Sequence, residues 1–244
     1  MNKKYLIGGG VVGVAVVVLA VWFFFFKDDA PDAVDVGDAN EQLDADLAED
    51  GGDAGPAVAD GIDGVWVVDD EIGSFDFDTA SGSFAGFRVA EELTIGSVTA
   101  VGRSGGVTGS VTIDGGQLTG ADVTVDMNSI VSNDPRRESA IRRAIGAAEF
   151  PTATFTFDGG VDVSGLEAGG AAHTFEVEGD LTVAGVTNPV TFSIDANVRD
   201  DGFGVIVGST EIVWEDFGVT PPSASIVVSI ADEGTVEFQL IVAR

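Results

Sequence analysis

The sequence predicts an all-β domain folded as a closed antiparallel barrel of roughly eight strands, behind a single transmembrane helix and an acidic linker. Three observations support this prediction. A long apolar run opens the chain, an acidic stretch follows it, and the rest of the sequence alternates between apolar and polar residues with a period of two. Such alternation is typical of strands with one buried and one solvated face.

The composition excludes several classes of protein. The 244 residues include 41 acidic and 11 basic side chains, giving a formal net charge of −30, so the basic surface that nucleic-acid binding needs cannot form. The absence of cysteine excludes disulfides and thiolate chemistry, and the single histidine, His173, excludes a multi-histidine metal centre. The mean hydropathy is nonetheless +0.28, so apolar and acidic residues must be segregated along the chain.

The apolar run covers residues 5–26 and contains no charged residue. As a helix it is about 33 Å long, enough to cross the hydrocarbon core of a bilayer. A cleaved signal peptide is the alternative, but signal peptides have shorter apolar regions ending in small residues, whereas this run ends in Trp22 and four phenylalanines. We therefore predict an uncleaved signal anchor. More lysines precede the run than follow it, so the positive-inside rule places residues 1–4 in the cytoplasm as a short tip. The sequence therefore predicts a single-pass protein of the cell membrane whose folded domain lies outside the cytoplasm.

Residues 27–63 are predicted to be a flexible, disordered acidic linker. After Lys27 they contain no basic residue and many Asp, Glu, Ala, Gly and Pro, so the segment repels itself and has little apolar surface to bury. A short helix over residues 40–50, with Leu43 and Leu47 on one side, is an alternative for part of it.

The alternation begins at about residue 64 and continues to residue 244. Within residues 173–183 it places Phe175 and Leu181 on one face of a strand and acidic or threonine side chains on the other. Residues 190–198 repeat the pattern, and similar stretches are separated by turns rich in Gly, Asp and Asn. One solvated face on each strand favours an antiparallel sheet, and closure into a barrel removes exposed sheet edges.

One segment of the domain is predicted to be helical. Asp134 and Pro135 are a typical N-cap and first helical residue, and the apolar residues that follow recur at helical spacing. Pro151 stops the helix after about three turns, because the residue before a proline avoids the helical conformation. Four of the eight arginines of the domain lie in this segment. They either form a site for an anionic head group or pair with carboxylates on the helix surface.

The sequence contains no evident catalytic or metal-binding constellation. His173 begins an alternating strand without a nucleophile elbow nearby, and adjacent acids such as Glu91 and Glu92 are expected by chance in so acidic a chain. No calcium-binding loop pattern is present either. We therefore predict a protein that is not an enzyme and needs no metal or cofactor.

Several short motifs follow one another between residues 64 and 244. Trp-Val-Val-Asp at 66–69 precedes Phe-Pro-Thr-Ala-Thr-Phe at 150–155, and the most specific motif, Gly-Asp-Leu-Thr-x-x-Gly-Val-Thr-x-Pro-Val-x-Phe, lies at 179–192. This order resembles the YceI-like family, the lipocalin-like polyisoprenoid-binding proteins. The resemblance implies an extended lipocalin-like barrel with an apolar pore for a long isoprenoid tail, an envelope location, and binding rather than turnover. Family members often carry a histidine soon after the opening motif, and this chain does not; its residues 86–103 are also of a variant type.

The leading hypothesis is a membrane-tethered, extracytoplasmic protein that binds or carries an isoprenoid lipid of the quinone or prenyl phosphate type. Eight residues predicted to face inward are the candidates for its apolar lining: Phe155, Phe157, Phe175, Val177, Leu181, Phe192, Ile194 and Phe238. The candidates for contacts with an anionic head group are Arg103, Arg136 and Arg137.

Two other classes of function remain open, because an eight-stranded barrel can either be filled by its own side chains or hold one elongated ligand. A filled barrel would be a non-catalytic surface module that docks a protein partner through an outer apolar patch. A hydrolase would instead require two carboxylates that converge in a pocket.

Overall fold

The computed structural model describes residues 29–50, 61–94, 96–223 and 225–244. The predicted transmembrane segment, residues 5–26, lies outside these ranges. None of the helices within them combines the length and the apolar character needed to cross a membrane.

The elements in chain order are α1 (Val36–Asp50), β1 (Gly64–Val68), β2 (Phe84–Leu93), β3 (Gly96–Ser104), β4 (Val107–Asp114), β5 (Gln117–Asp126), β6 (Val131–Ser132), α2 (Glu138–Ala144), β7 (Thr152–Asp162), β8 (His173–Val183), β9 (Val186–Val198), β10 (Gly204–Val213), a 3-10 helix (Trp214–Phe217), β11 (Val227–Ile230) and β12 (Glu233–Ala243).

Eight strands close into an antiparallel barrel in the order β1-β4-β5-β7-β8-β9-β10-β12. β12 completes the ring by pairing with β1, where Val68 lies opposite Val242. The first half of β12 pairs along the same edge with β2, and β2 continues into β3 and the short β6. The predicted all-β fold with an eight-stranded antiparallel barrel is therefore confirmed.

The barrel has two distinct ends. At one end Val213 of β10 lies opposite Glu233 of β12. Helix α2 packs nearby against Phe87 of β2. The ring centroid of Phe87 lies 5.9 Å from that of Trp214. We call this the α2 end. At the other end, which we call the hairpin end, Gly204 of β10 lies opposite Val242.

The core follows the predicted alternation. Inward side chains of β7, β8, β9 and β12 meet at Phe192. The ring centroid of Phe192 lies 5.2 Å from that of Phe155 and 5.3 Å from that of Phe238, and both pairs pack edge to face. Such pairs stabilise a core by about 0.5–1.5 kcal/mol beyond the burial of their area. Near the hairpin end the interior is filled around Trp66, which is 1% exposed and donates its indole N–H to the Ile62 carbonyl at 2.9 Å.

Helix α2 is shorter than predicted, with seven residues instead of about three turns. The reason lies at its two ends. Asp134 does not cap the helix; its carboxylate accepts the backbone N–H of Arg136 in a local turn, and the N-cap position falls to Arg137. At the other end Gly146 adopts a left-handed conformation, with φ of 65°, which terminates the helix well before Pro151.

Residues 36–50 are not part of the flexible linker predicted over 27–63, and the alternative of a short helix over 40–50 with Leu43 and Leu47 on one side is closer to the structure. They form α1, whose Leu43 is fully buried against Val205, Val207 and Ile241 on the outside of the barrel. Burial of one leucine stabilises the docked helix by about 1.5–3 kcal/mol. The segment has too little apolar surface to fold by itself, but the outer wall of the barrel supplies the apolar partner that buries Leu43.

Candidate functional site

A cavity of about 450 Å³ runs lengthwise inside the barrel. It begins between α2 and β2, where Ile141 and Phe87 line it, and continues to Val163 and Leu166 near the hairpin end. Almost all of its wall is apolar, because the inward positions of the strands carry Val, Leu, Ile, Phe and Ala. A volume of this size falls within the usual range of small-molecule sites.

The cavity opens at the α2 end. Pro222, Ser223 and Ile226 line it there, and all three are exposed to solvent. The lining residues at the hairpin end are buried, with Val163 at 1% and Leu166 at 7% exposure. Among the described residues, the elongated cavity therefore opens at the α2 end and is closed by buried side chains at the hairpin end.

Most of the residues predicted to form the apolar lining do line this cavity. They are Phe155, Phe175, Val177, Leu181, Phe192, Ile194 and Phe238. Alternation identified them because a strand of a closed barrel has only one inward face.

Phe157 is placed differently. The pairing of β7 with β8 stops at Thr156 opposite Asp180, so the two strands separate just where Phe157 follows. Its half-buried ring packs partly against the core and also borders a shallow groove on the outer surface with Gly179 and Pro189. Phe157 is therefore not among the residues that line the main cavity.

Arg103 is also placed outside the cavity lining. It lies on the outward face of β3, only 4% exposed, and donates to Glu237 at 3.1 Å and to the carbonyls of Phe77 and Asp32 at 3.0 and 2.9 Å. Burial lowers the pKa of Arg103, and the nearby carboxylate of Glu237 opposes this effect. Arg88 reaches Glu237 at 2.8 Å from the other side. This buried cluster holds the chain segment before α1 against the barrel, so Arg103 is not available to a head group.

Arg136 and Arg137 do lie at the mouth, but each is paired with a carboxylate. Arg136 donates to both carboxylate oxygens of Asp134, at 2.9 and 2.8 Å. These hydrogen bonds lower the pKa of Asp134 below its ordinary value. Arg137 Nη2 lies 2.8 Å from Glu91 Oε2, although it is out of line for a hydrogen bond to that oxygen. The mouth therefore carries two neutralised ion pairs.

Glu91 is the residue that the sequence reasoning missed. It is 6% exposed and lines the cavity from β2, between the inward side chains of Val89 and Leu93. The sequence did indicate a special role for Glu91, because it occupies an apolar, inward position of an alternating strand. A carboxylate at such a position needs a buried partner. The partner, Arg137, is 46 residues away on α2 and could not be read from the strand itself.

The cavity walls offer no pair of free acids for hydrolysis among the described residues. The carboxylates that line it are Glu91, Asp134 and Glu237. Each of them contacts an arginine.

The comparisons with known proteins agree with this architecture. The sequence model of the YceI-like domain matches residues 75–242. The chain belongs to the YceI-like family. The match extends from the loop before β2 almost to the end of β12, so it includes every described residue that lines the cavity. No curated protein matches the chain.

The fold is similar to that of a solved polyisoprenoid-binding domain. A polyisoprenoid-binding domain from Saccharophagus degradans, implicated in plant cell wall breakdown, has a TM-score of 0.56 at 17% identity, covering 73% of this chain and 97% of that chain. BcnA of Burkholderia cenocepacia has a TM-score of 0.48 at 20% identity, covering 65% of this chain and 95% of its own. At 17% identity, the likeness to the polyisoprenoid-binding domain shows the fold alone.

Proposed function

We propose that this YceI-like protein binds one long isoprenoid lipid in its barrel and carries it outside the cytoplasm, tethered to the cell membrane by residues 5–26. The observation that supports this most directly is the elongated apolar cavity that opens at the α2 end and has buried side chains at the hairpin end. The similar domain from Saccharophagus degradans is a polyisoprenoid-binding domain, which favours the same class of ligand here.

The shape of the cavity orients such a ligand. Its closed end is lined by Val163, Leu166 and other buried apolar side chains, which suit the hydrocarbon tail. Each methylene group transferred from water into this interior contributes about 0.8 kcal/mol to binding. The polar head then lies at the mouth, beside Glu91 and Arg137.

The charges at the mouth favour an uncharged head group of the quinone type over a prenyl phosphate. Each arginine there already has a carboxylate partner, so the mouth has no excess positive charge to balance a phosphate. Displacing Glu91 from Arg137 would leave a buried carboxylate without its partner, a loss of about 3–5 kcal/mol in comparable sites. A quinone carbonyl accepts a hydrogen bond from Arg137 without breaking the pair.

The proposed role is carriage and not turnover. A reaction on the lipid head would need a free acid, base or nucleophile at the mouth, and the acids that line the cavity within the described ranges are all paired with arginines. The open cavity also weighs against the alternative of a filled module that docks a protein partner.

Mass spectrometry of bound lipid tests this proposal. Residues 27–244, secreted from the native cell and purified without detergent, are extracted with organic solvent, and a stoichiometric isoprenoid is expected. The matched control is Val177→Trp, which places a large ring in the cavity from a position that is 1% exposed. This variant should retain its β-sheet circular dichroism but release no lipid. A folded wild-type protein that yields no isoprenoid would contradict the proposal.

A further inference from the structure

Five of the eight exposed large apolar side chains among the described residues lie at the α2 end. Phe150, Val186, Val213, Ile226 and Val228 are between 37% and 63% exposed. We call these five residues the mouth rim. Clustered apolar exposure of this kind marks an interaction surface, whereas scattered exposed residues do not.

The strand register places the mouth rim around the cavity opening. Val213 ends β10, and Val186 begins β9 at the turn that leaves β8 at the same end of the barrel. Phe150 packs against Gly185 within that turn. Ile226 and Val228 flank Val227, which pairs with the last residue of β2. Of the five, Ile226 also lines the cavity, so the rim meets the apolar interior at this residue.

The direction of the chain before α1 indicates what covers this rim. Arg88, level with Thr235 near the α2 end, donates to the carbonyls of Pro31 and Asp32. Asn40 and Asp44 of α1 then contact Arg199 at the hairpin end. Residues 31–44 therefore run from the α2 end towards the hairpin end, and Pro31 lies on the side of the mouth.

Little chain separates this point from the proposed membrane anchor. Phe26 is its last residue, and Pro31 is five residues further on. Five fully extended residues span at most about 18 Å. With α1 and the Arg88 contacts in place, the mouth end of the barrel is held close to the bilayer, which a free linker of residues 27–63 would not achieve.

We propose that the mouth rim docks on the bilayer that holds the anchor, so that the isoprenoid enters the barrel directly from the membrane. The inference rests on the proposed function, because it assumes both the anchor and a lipid ligand. The rim side chains enter the interfacial region of the lipids, where buried apolar area stabilises docking. The tail then moves from one apolar medium to another without exposing its methylene groups to water.

Single-cysteine labelling tests the docking, since the native chain contains no cysteine. The full chain is reconstituted at one copy per phosphatidylcholine nanodisc, with an environment-sensitive fluorophore at Val228→Cys. The matched control is Val67→Cys, which is 52% exposed on β1 at the hairpin end. Both positions are exposed, so neither substitution should disturb folding.

We expect the label at position 228 to emit at shorter wavelength and to be quenched several-fold more slowly by aqueous iodide than the label at position 67. Equal quenching at the two positions would overturn the proposal. Protection of position 228 only when several copies share a membrane would also overturn it, because a second copy would then cover the rim.

A transfer experiment separates this inference from the proposed function. Val228→Asp should slow the uptake of a prenylquinone from vesicles several-fold while protein that is already loaded keeps its ligand. Uptake at the wild-type rate would contradict docking through the rim. If the wild-type protein neither contains nor takes up an isoprenoid, the proposed function fails, whatever the labels report.

Discussion

Phe192→Ala perturbs the centre of the proposed binding site. Phe192 is 2% exposed, and its ring contacts Phe155 and Phe238 inside the cavity wall. Truncation of a buried phenylalanine to alanine typically lowers the free energy of unfolding by about 3–5 kcal/mol. We expect a loss in that range for the ligand-free protein, because two edge-to-face contacts disappear along with the buried area.

The loss is measured by urea denaturation of the ligand-free protein, with Phe75→Ala as the matched control. Phe75 is 37% exposed and its ring centroid lies 6.4 Å from that of Phe84, so its truncation should cost much less. A prenylquinone at 100 times its dissociation constant should stabilise the wild-type protein by about 2.7 kcal/mol. The ligand should stabilise Phe192→Ala less. A loss below about 1 kcal/mol for Phe192→Ala would refute the packing described here, and equal stabilisation of both proteins would refute the position of the ligand.

Three further predictions address α1 and the mouth. Leu43→Asp should release α1 and remove the hydrogen-exchange protection of residues 36–50 while the barrel stays protected; unchanged protection would contradict the docking of α1. The folded-state pKa of Asp134 is lowered by Arg136, so the carboxylate stabilises the fold above its ordinary pKa of 3.8 and loses this effect as the pH falls further. Asp134→Asn should therefore be less stable than the wild type at neutral pH, with a difference that shrinks below pH 3.8 in thermal unfolding scans; a difference independent of pH would contradict this origin. Glu91→Gln removes the carboxylate that neutralises Arg137, so competition measured by native mass spectrometry should shift towards a prenyl phosphate and away from a quinone. An unchanged preference would show that the ion pair does not select the head group.

The barrel could be predicted from the sequence because its strands alternate strongly. Residues 173–183 were predicted from their pattern and form β8 with the same bounds, and β9 extends the predicted 190–198 by four residues towards its turn. The interior was predicted for the same reason, since the face of each strand fixes which side chains can reach the cavity. Phe157 is the exception, and its position depends on where two strands separate.

Three features could not be predicted, because each depends on residues far apart in the sequence. A short helix with Leu43 on one side was an alternative from the sequence, but Leu43 is buried by β10 and β12, about 160 residues or more along the chain, so its docking on the barrel could not be predicted. Arg103 faces outward into a cluster completed by Glu237. Glu91 meets Arg137 only after α2 has packed on β2. Charged side chains are especially hard to place from sequence, since their partners determine whether they are buried.

A structure of the protein purified together with its native lipid would show directly whether the barrel holds an isoprenoid. We predict continuous density for one prenyl chain from Val163 past Phe192 to the mouth, with an uncharged head group beside Arg137 and Glu91. An interior filled by repacked side chains, or a lipid bound only on the outer surface, would contradict it.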